Sequence, residues 1–199
     1  MGVAELTAKA DTTGRARPLS VEDRRSSIID AVIPLLFEHG AAVTTKQIAD
    51  AAGIAEGTIF RAFGDKDSLI DAAVQRFLDP EPIRRSLSYI DPDSTLEQKV
   101  NDILFQLRSR FTGIMGIMSA IGVKSRPSGG ANVRQELADV ITAVLEGESV
   151  RLRVPPAQAA YIIRIIAFAA SIESFNSDYV FETTEIANFI VFGIGNGVN

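Results

Sequence analysis

The chain has 199 residues, of which 46% are apolar, a net charge of −5, one histidine and no cysteine. This length and apolar content suffice for a small domain and a larger one. The lack of cysteine excludes disulfides, thiolate metal sites and thiol nucleophiles, and it suits a reducing cytoplasm. With a single histidine and no glycine-rich phosphate loop or nucleophile elbow, we expect no enzyme, no cofactor and no metal site.

The first part of the chain predicts a polar tail followed by one helix. Residues 1–19 are small and polar, and we expect them to be disordered. Ser20, with Asp23 three residues later, marks a helix start, and the helix should run to about His39. Its apolar residues recur at helical spacing, which predicts a buried stripe of Ile28, Val32, Leu35 and Leu36.

Two short helices joined by a tight turn are predicted next. Thr44 and Gln47 form a capping box, and Gly53 supplies the left-handed conformation that ends the first of the two helices. The second begins near Glu56 and turns Ile59 and Phe63 inward. This pattern predicts a helix-turn-helix, whose second helix enters the DNA major groove. The alternative is a helical hairpin that never contacts DNA.

Helical spacing also dominates the rest of the chain, so the predicted fold class is all-α. Pro80, Pro82 and Pro92 mark a boundary, because the residue before each proline is biased away from helix. The apolar periodicity predicts helices over about 65–78, 96–121, 131–147, 155–175 and 184–195. No apolar run reaches membrane-spanning length without a charge and no signal segment is visible, so we expect a cytoplasmic protein with no membrane partner.

The helix-turn-helix and its flanks resemble a known family. An apolar helix precedes the two short helices, and Phe63-Gly64-Asp65-Lys66 begins another helix directly after them. Over about residues 24–78 these motifs resemble the N-terminal domain of the tetracycline-repressor (TetR) family of bacterial transcription regulators. The resemblance implies a homodimer with a DNA-binding domain over 20–67, an effector-binding and dimerisation domain over 68–199, and the helix 65–78 as linker.

The resemblance also implies which residues hold the DNA backbone. In the family, residues at the start of the first motif helix and at the start of the helix that follows the motif contact phosphates. Here these residues are Thr45 and Lys66. Gly57 offers its backbone N–H to a phosphate, and Lys46 is near enough to contact a phosphate or a base edge.

Base reading is assigned to the second helix of the motif. Phe60 stands where the family usually has tyrosine, so it is expected to contact only sugar or a thymine methyl. Arg61 is the expected base reader, bidentate to a guanine, with Thr58 and Glu56 assisting. The alternative is that Arg61 only grips phosphate.

The second half of the chain predicts an interface and a small-molecule pocket. The run after Pro156 is apolar on nearly all sides, which a chain of this size cannot cover alone. In the resembled family the last two helices form the dimer, which here implies an interface of Ile165, Phe168, Ile172, Phe175, Phe189 and Ile190. The predicted effector pocket consists of Phe105, Phe111, Met115, Met118, Tyr161 and Arg164, and the missing side chains at Gly113 and Gly116 are expected to leave room for a ligand or a bend. Arg164 is either paired with an acid or a contact for an anionic effector, and the apolar residues are either a pocket or plain core.

The charge balance argues against DNA binding and keeps one alternative function open. Residues 1–78 carry nine Lys and Arg against eleven Asp and Glu, whereas a DNA-binding domain usually has a basic footprint. The predicted function is a ligand-responsive regulator, a repressor that binds a pseudo-palindromic operator as a dimer. The alternative is an all-α dimeric ligand-binding or interaction protein that does not bind DNA.

Overall fold

The fold is entirely helical over the residues that the computed structural model describes, which are 20–122, 130–172 and 179–194. These ranges contain nine α-helices and no strand, in agreement with the predicted all-α fold class. In chain order they are α1 (Val21–His39), α2 (Thr45–Ala52), α3 (Glu56–Phe63), α4 (Lys66–Leu78), α5 (Glu81–Ser88), α6 (Leu96–Ala120), α7 (Gly130–Glu146), α8 (Pro156–Ala169) and α9 (Thr183–Ile194). A 3-10 turn over Gly40–Ala42 follows α1.

Side-chain caps set the starts of four of these helices. Ser20 accepts a hydrogen bond from the Asp23 amide, and Asp65 accepts one from the Ser68 amide at 2.7 Å. Thr44 and Thr95 each form a complete capping box with a glutamine three residues later. The hydrogen bond from Ser68 also lowers the pKa of the Asp65 carboxyl, because it stabilises the charged form.

Two helices differ from the sequence-based prediction. α5 was not predicted, because Pro80 and Pro82 were interpreted as breakers; they instead occupy the N-cap and the second helical position, where a missing N–H costs nothing. α8 was predicted to continue to Phe175 but ends at Ala169. After Ala169 the chain tightens into a turn, in which the Ser171 and Ile172 amides donate to carbonyls three residues back. Phe175 itself lies outside the described residues.

A first hydrophobic core joins the four N-terminal helices. α1, α2 and α3 each bury one face in it, and α4 adds four buried side chains. The end of α6 closes this core with Ile117, which has no exposed surface. The core consists of Ile28, Val32, Leu36, Val43, Ile48, Ala49, Ile59, Leu69, Ile70, Ala73, Val74 and Ile117.

A second core lies between α5, α6, α7, α8 and α9. It encloses a buried ion pair: Lys99 Nζ of α6 lies 2.6 Å from Glu148 Oε1, after the end of α7, and donates to the Pro92 carbonyl at 2.7 Å. Arg151 links Glu148 to Glu97, at 3.3 Å from each carboxylate. Four charged side chains therefore tie the start of α6 to the connection between α7 and α8.

α6 contributes to both cores, and glycines at the contact let it approach α1, α4 and the turn after α1. A Cβ on Gly113 would lie 2.9 Å from the Phe77 ring, and one on Gly116 would lie 3.1 Å from the Phe37 ring. Gly40 has φ +58, and a Cβ there would lie 2.2 Å from the Ala120 carbonyl oxygen. Across this junction, Arg110 of α6 donates to the Phe77 carbonyl and, at 2.9 Å, to the Asp79 carbonyl at the end of α4.

None of the helices in the described part of the chain is long and apolar enough to cross a lipid bilayer. Those same ranges contain no group of three His, Asp or Glu side chains arranged to hold a metal ion.

Candidate DNA-binding surface

The turn between α2 and α3 has the geometry of a helix-turn-helix. Gly53 adopts φ +65 and ψ +36, and its amide donates to carbonyls in the last turn of α2. Ile54 then donates to the Ala49 carbonyl at 3.0 Å, which closes the turn. Ile48, Ala49 and Ile59 are buried between the helices. The small side chain at Ala49 permits the close contact between α2 and α3 that the sequence predicted.

α3 presents one face to solvent, and most of the predicted DNA-contacting residues of this helix lie on it. Ile59 points into the core, Thr58 is half-buried, and Glu56, Gly57, Phe60 and Arg61 are exposed. Phe60 is 48% exposed. The helix therefore offers an apolar surface and a cation side by side.

Gly57 lies at the second position of α3, where an added Cβ would meet no atom within 4 Å and the backbone angles are ordinary. Glycine in a helix is less stable than alanine by about 0.5–1 kcal/mol. Neither packing nor backbone conformation within the subunit explains this residue. A glycine in such a place lets another molecule approach the backbone N–H groups at the helix N-terminus.

The N-termini of the two motif helices are joined through their side chains. The Thr45 hydroxyl donates to the Glu56 carboxylate, so both lie at the same end of the motif. Ala55, the N-cap of α3, provides no side-chain cap, which leaves the first amides of that helix without a side-chain partner at the cap. The Glu56 carboxylate is favourably placed at the positive end of the helix dipole.

The two predicted lysines are placed differently. Lys46 is exposed at the start of α2, as a phosphate contact requires. Lys66 is half-buried and donates to the carbonyls of Ala41 and Val43, at 3.1 and 3.2 Å. An ammonium group has three donors, so Lys66 keeps one for another acceptor while it ties the start of α4 to the segment before α2.

Sequence reasoning missed the side chain that supports the far end of α3. Arg25 of α1 donates to the Ala62 carbonyl, and its guanidinium lies 4.2 Å from the centre of the Phe63 ring. A cation at a helix C-terminus is favoured by the dipole, and the ring adds a cation–π contact. Arg25 therefore holds the C-terminal end of α3 in position. The only sequence signal for this role is a basic residue in the first turns of α1.

The six residues predicted to line an effector pocket lie in different parts of the subunit, and the pocket stays a prediction. Phe111 packs in the second core, with its ring 5.5 Å from that of Phe168, whereas Met118 packs against the first core. Phe105 and Tyr161 are mostly exposed and Met115 is half-buried. The room expected beside Gly113 and Gly116 is filled by the Phe77 and Phe37 rings.

Arg164 was predicted either to pair with an acid or to contact an effector. Burial lowers the pKa of its guanidinium, and the positive charge of Arg134 on α7 lowers it further. Within the described ranges Arg164 makes no ion pair.

The apolar side chains predicted for an interface divide into two sets. Ile165, Phe168 and Phe189 are exposed on the outer faces of α8 and α9, together with Phe192, which was not predicted. Ile190 is only 2% exposed and packs in its own subunit's core, so its assignment to the interface was wrong. On α9, residues 189 and 192 face outward, whereas residues 186, 187 and 190 face inward. Ile172 is half-buried after the end of α8.

Comparison with known proteins identifies the N-terminal helices. The family model described as bacterial regulatory proteins, tetR family, matches residues 28–73, from the middle of α1 into α4. The transcriptional repressor KstR2 of Rhodococcus jostii is 37% identical over 70 residues, which are 35% of this chain and 31% of that protein. The transcriptional regulator HbdR of an Aromatoleum species is 41% identical over 63 residues, 31% of this chain and 28% of that protein.

The likeness in structure extends over nearly the whole chain. The efflux-pump repressor SmeT of Stenotrophomonas maltophilia superposes with a TM-score of 0.59 over 87% of this chain and 91% of its own, at 18% identity. That identity shows a shared fold. The sequence alignments cover less than a third of the two curated relatives' own lengths. Residues 28–73, from α1 into α4, therefore carry the N-terminal sequence pattern of the tetR family of bacterial regulatory proteins.

Proposed function

We propose that this protein is a dimeric, ligand-responsive transcriptional repressor that binds a pseudo-palindromic operator in the cytoplasm. The observation that carries the proposal is the outer face of α3, where Gly57, Phe60 and Arg61 are exposed on a helix supported from behind by Arg25. The family model of bacterial regulatory proteins matches residues 28–73, which include α3, and two similar proteins are named as a transcriptional repressor and a transcriptional regulator.

On DNA, α3 would lie in the major groove with backbone contacts at its N-terminus. The Gly57 amide, Lys46 and the free donor of Lys66 would hold phosphates, which set the register without reading sequence. The Thr45 hydroxyl would join them by exchanging its hydrogen bond to Glu56 for one to a phosphate. Arg61 would bind a guanine through two hydrogen bonds, and Phe60 would contact a thymine methyl or sugar. Glu56, with Thr58 assisting, would favour a cytosine, whose N4 amine donates to a carboxylate.

The acidity of the DNA-binding unit shapes the expected binding. Residues 20–78 carry nine acidic and six basic side chains, so non-specific attraction to DNA should be weak. Specific contacts must then supply most of the discrimination between operator and other DNA. The same charge balance favours the alternative, a regulator-like protein that has lost DNA binding, and the experiment below separates the two.

A second copy of the chain is the proposed partner of α8 and α9. Phe189 and Phe192 are 79% and 81% exposed, and Ile165 and Phe168 extend the same apolar surface onto α8. Exposed apolar patches of this kind mark interaction sites, and a two-fold axis there would present two α3 helices to successive major grooves. Ile172 lies at the edge of this surface.

Effector control would pass through α6. Arg110 holds the last carbonyls of α4, and the Phe77 and Phe37 rings pack on Gly113 and Gly116. A ligand that displaces α6 would therefore move α4 and change the separation of the two α3 helices. The ligand must bind the DNA-incompetent dimer more tightly, since equal affinity for both states shifts nothing.

Selection of bound sequences from random double-stranded DNA tests the function. We expect the full chain to enrich a two-fold symmetric site, and Arg61→Ala to weaken binding and relax preference at one base pair per half-site, by about 1–3 kcal/mol. Arg85→Ala, an exposed arginine of α5, is the matched control and should leave binding unchanged. No enriched site at low salt would support the alternative without DNA binding. Uniform weakening by Arg61→Ala would make that arginine a phosphate contact.

A further inference from the structure

The hydrogen bond between Thr45 and Glu56 joins two residues that have different roles in the proposed DNA complex. Thr45 is the first residue of α2, and its hydroxyl donates to the carboxylate of Glu56, the first residue of α3. In the complex Thr45 would contact a phosphate and Glu56 a base edge. One hydrogen bond therefore connects a backbone contact with a base contact.

The Thr45 hydroxyl cannot hold Glu56 and a phosphate at the same time. A hydroxyl has one proton to donate, whereas an ionised carboxylate and a phosphate oxygen only accept. When Thr45 donates to a phosphate, it must release Glu56. The hydroxyl is free to make this exchange, because α2 is capped by Thr44 and Gln47 and not by Thr45.

Glu56 has no second partner of opposite charge in its own subunit. Its side chain is exposed, and within the described ranges its carboxylate makes no ion pair. Once Thr45 has released it, the carboxylate lies beside the DNA phosphates, whose negative charge repels it. The major groove provides a suitable donor at cytosine, whose N4 amine donates to a carboxylate.

We propose that the Thr45–Glu56 hydrogen bond makes a phosphate contact depend on the base sequence. On a half-site with cytosine next to Glu56, the carboxylate moves to the N4 amine and the Thr45 hydroxyl binds a phosphate. On other sequences Glu56 keeps the hydroxyl, and this phosphate contact is not made. One base pair thus controls two contacts, which deepens the regulator function proposed above and rests on it.

The dependence of Thr45 on one base pair is the property to measure. Selection with Glu56→Ala identifies the cytosine, as the position of the enriched site whose preference is lost. A second duplex then carries deoxyuridine paired with adenine at that position, which replaces the N4 amine with an oxygen and adds no methyl group. Fluorescence anisotropy gives the affinity of the full chain for both duplexes, with and without Thr45→Val, a change of similar shape that removes the hydroxyl.

We expect Thr45→Val to weaken binding to the cytosine duplex at least about tenfold, the loss of a hydrogen bond to a charged group. The same variant should weaken binding to the uracil duplex less than about twofold, because there the hydroxyl stays with Glu56. In the Glu56→Ala background, Thr45→Val should weaken both duplexes alike, since no carboxylate then competes for the hydroxyl.

Two variants serve as controls. Thr45→Ser keeps a hydroxyl and should restore the difference between the duplexes that Thr45→Val removes. Asp50→Ala removes an exposed negative charge from the same helix, α2, and should leave the ratio of the two affinities unchanged. Melting temperatures measured by circular dichroism show that each variant is folded.

Equal weakening of both duplexes by Thr45→Val in the otherwise unchanged chain would make Thr45 an ordinary phosphate contact and overturn the coupling. The coupling is also wrong if neither duplex is weakened, or if Glu56→Ala relaxes no cytosine. In all three cases the enriched site remains, and the regulator function stands. If the unchanged chain enriches no site, the regulator function falls and the coupling falls with it.

Discussion

Replacing Gly57 with alanine should change stability and DNA affinity in opposite directions. A Cβ at this position meets no atom within 4 Å, and the backbone angles are ordinary for a helix. Alanine is favoured over glycine within a helix by about 0.5–1 kcal/mol. For a chain of this size that gain corresponds to a rise in melting temperature of about 1–4 °C.

The effect on DNA binding follows from the same missing side chain. A phosphate oxygen must come within about 3 Å of the Gly57 amide to accept its hydrogen bond, and an added methyl group stands beside that approach. A hydrogen bond to a charged group contributes about 1.5–3 kcal/mol. Its loss should weaken operator binding by roughly 10- to 150-fold.

Thermal unfolding followed by circular dichroism and operator binding followed by fluorescence anisotropy measure the two effects. Gly53→Ala is the control: it also has open space around it, but its φ of +65 is unfavourable for alanine. That variant should lose stability. If Gly57→Ala raises the melting temperature and leaves operator affinity unchanged, no phosphate contacts this amide. If it lowers the melting temperature, the explanation of Gly57 by function is wrong.

Three further predictions concern the interface, the buried ion pair and α4. Phe189→Glu should give a folded monomer in ultracentrifugation, because residue 189 is exposed in the subunit. Ile190→Glu should instead unfold the chain, because it buries an unpaired charge. If both variants are folded monomers, this assignment of the two residues is wrong. Lys99→Met should cost about 3–5 kcal/mol in urea unfolding, since it leaves Glu148 buried without its closest partner, and a loss below 1 kcal/mol would refute that role. Lys66→Ala should weaken binding to all DNA sequences, lower the salt slope by about one and also lower the melting temperature, and an unchanged salt slope would remove Lys66 from the DNA contacts.

Local sequence determined the starts and turns of the DNA-binding helices. Three local signals each act over no more than four residues: the capping box of Thr44 and Gln47, the left-handed Gly53 and the N-cap Asp65. Their effects can therefore be predicted without knowing the rest of the chain. The outward face of α3 follows from the same period, once Ile59 is recognised as the residue that points inward.

Contacts between distant segments were decided only by the tertiary structure. Arg25 supports α3 across 37 residues, and Phe77 fills the space at Gly113 that the sequence suggested for a ligand. Nothing within one helical turn of these residues indicates their partners.

The interface shows where the two kinds of information separate. The sequence determined that the run after Pro156 is too apolar to be covered within one subunit, and the family resemblance assigned α9 to the same interface. It did not determine which residues face the subunit's own core, and neighbouring Phe189 and Ile190 were both assigned to the partner. In the structure α9 packs on α6 through 186, 187 and 190, which turns 189 and 192 outward. The composition of a helix is the same for every rotation about its axis, so composition alone cannot select one. The rotation is selected by the shape of the surface against which the helix packs.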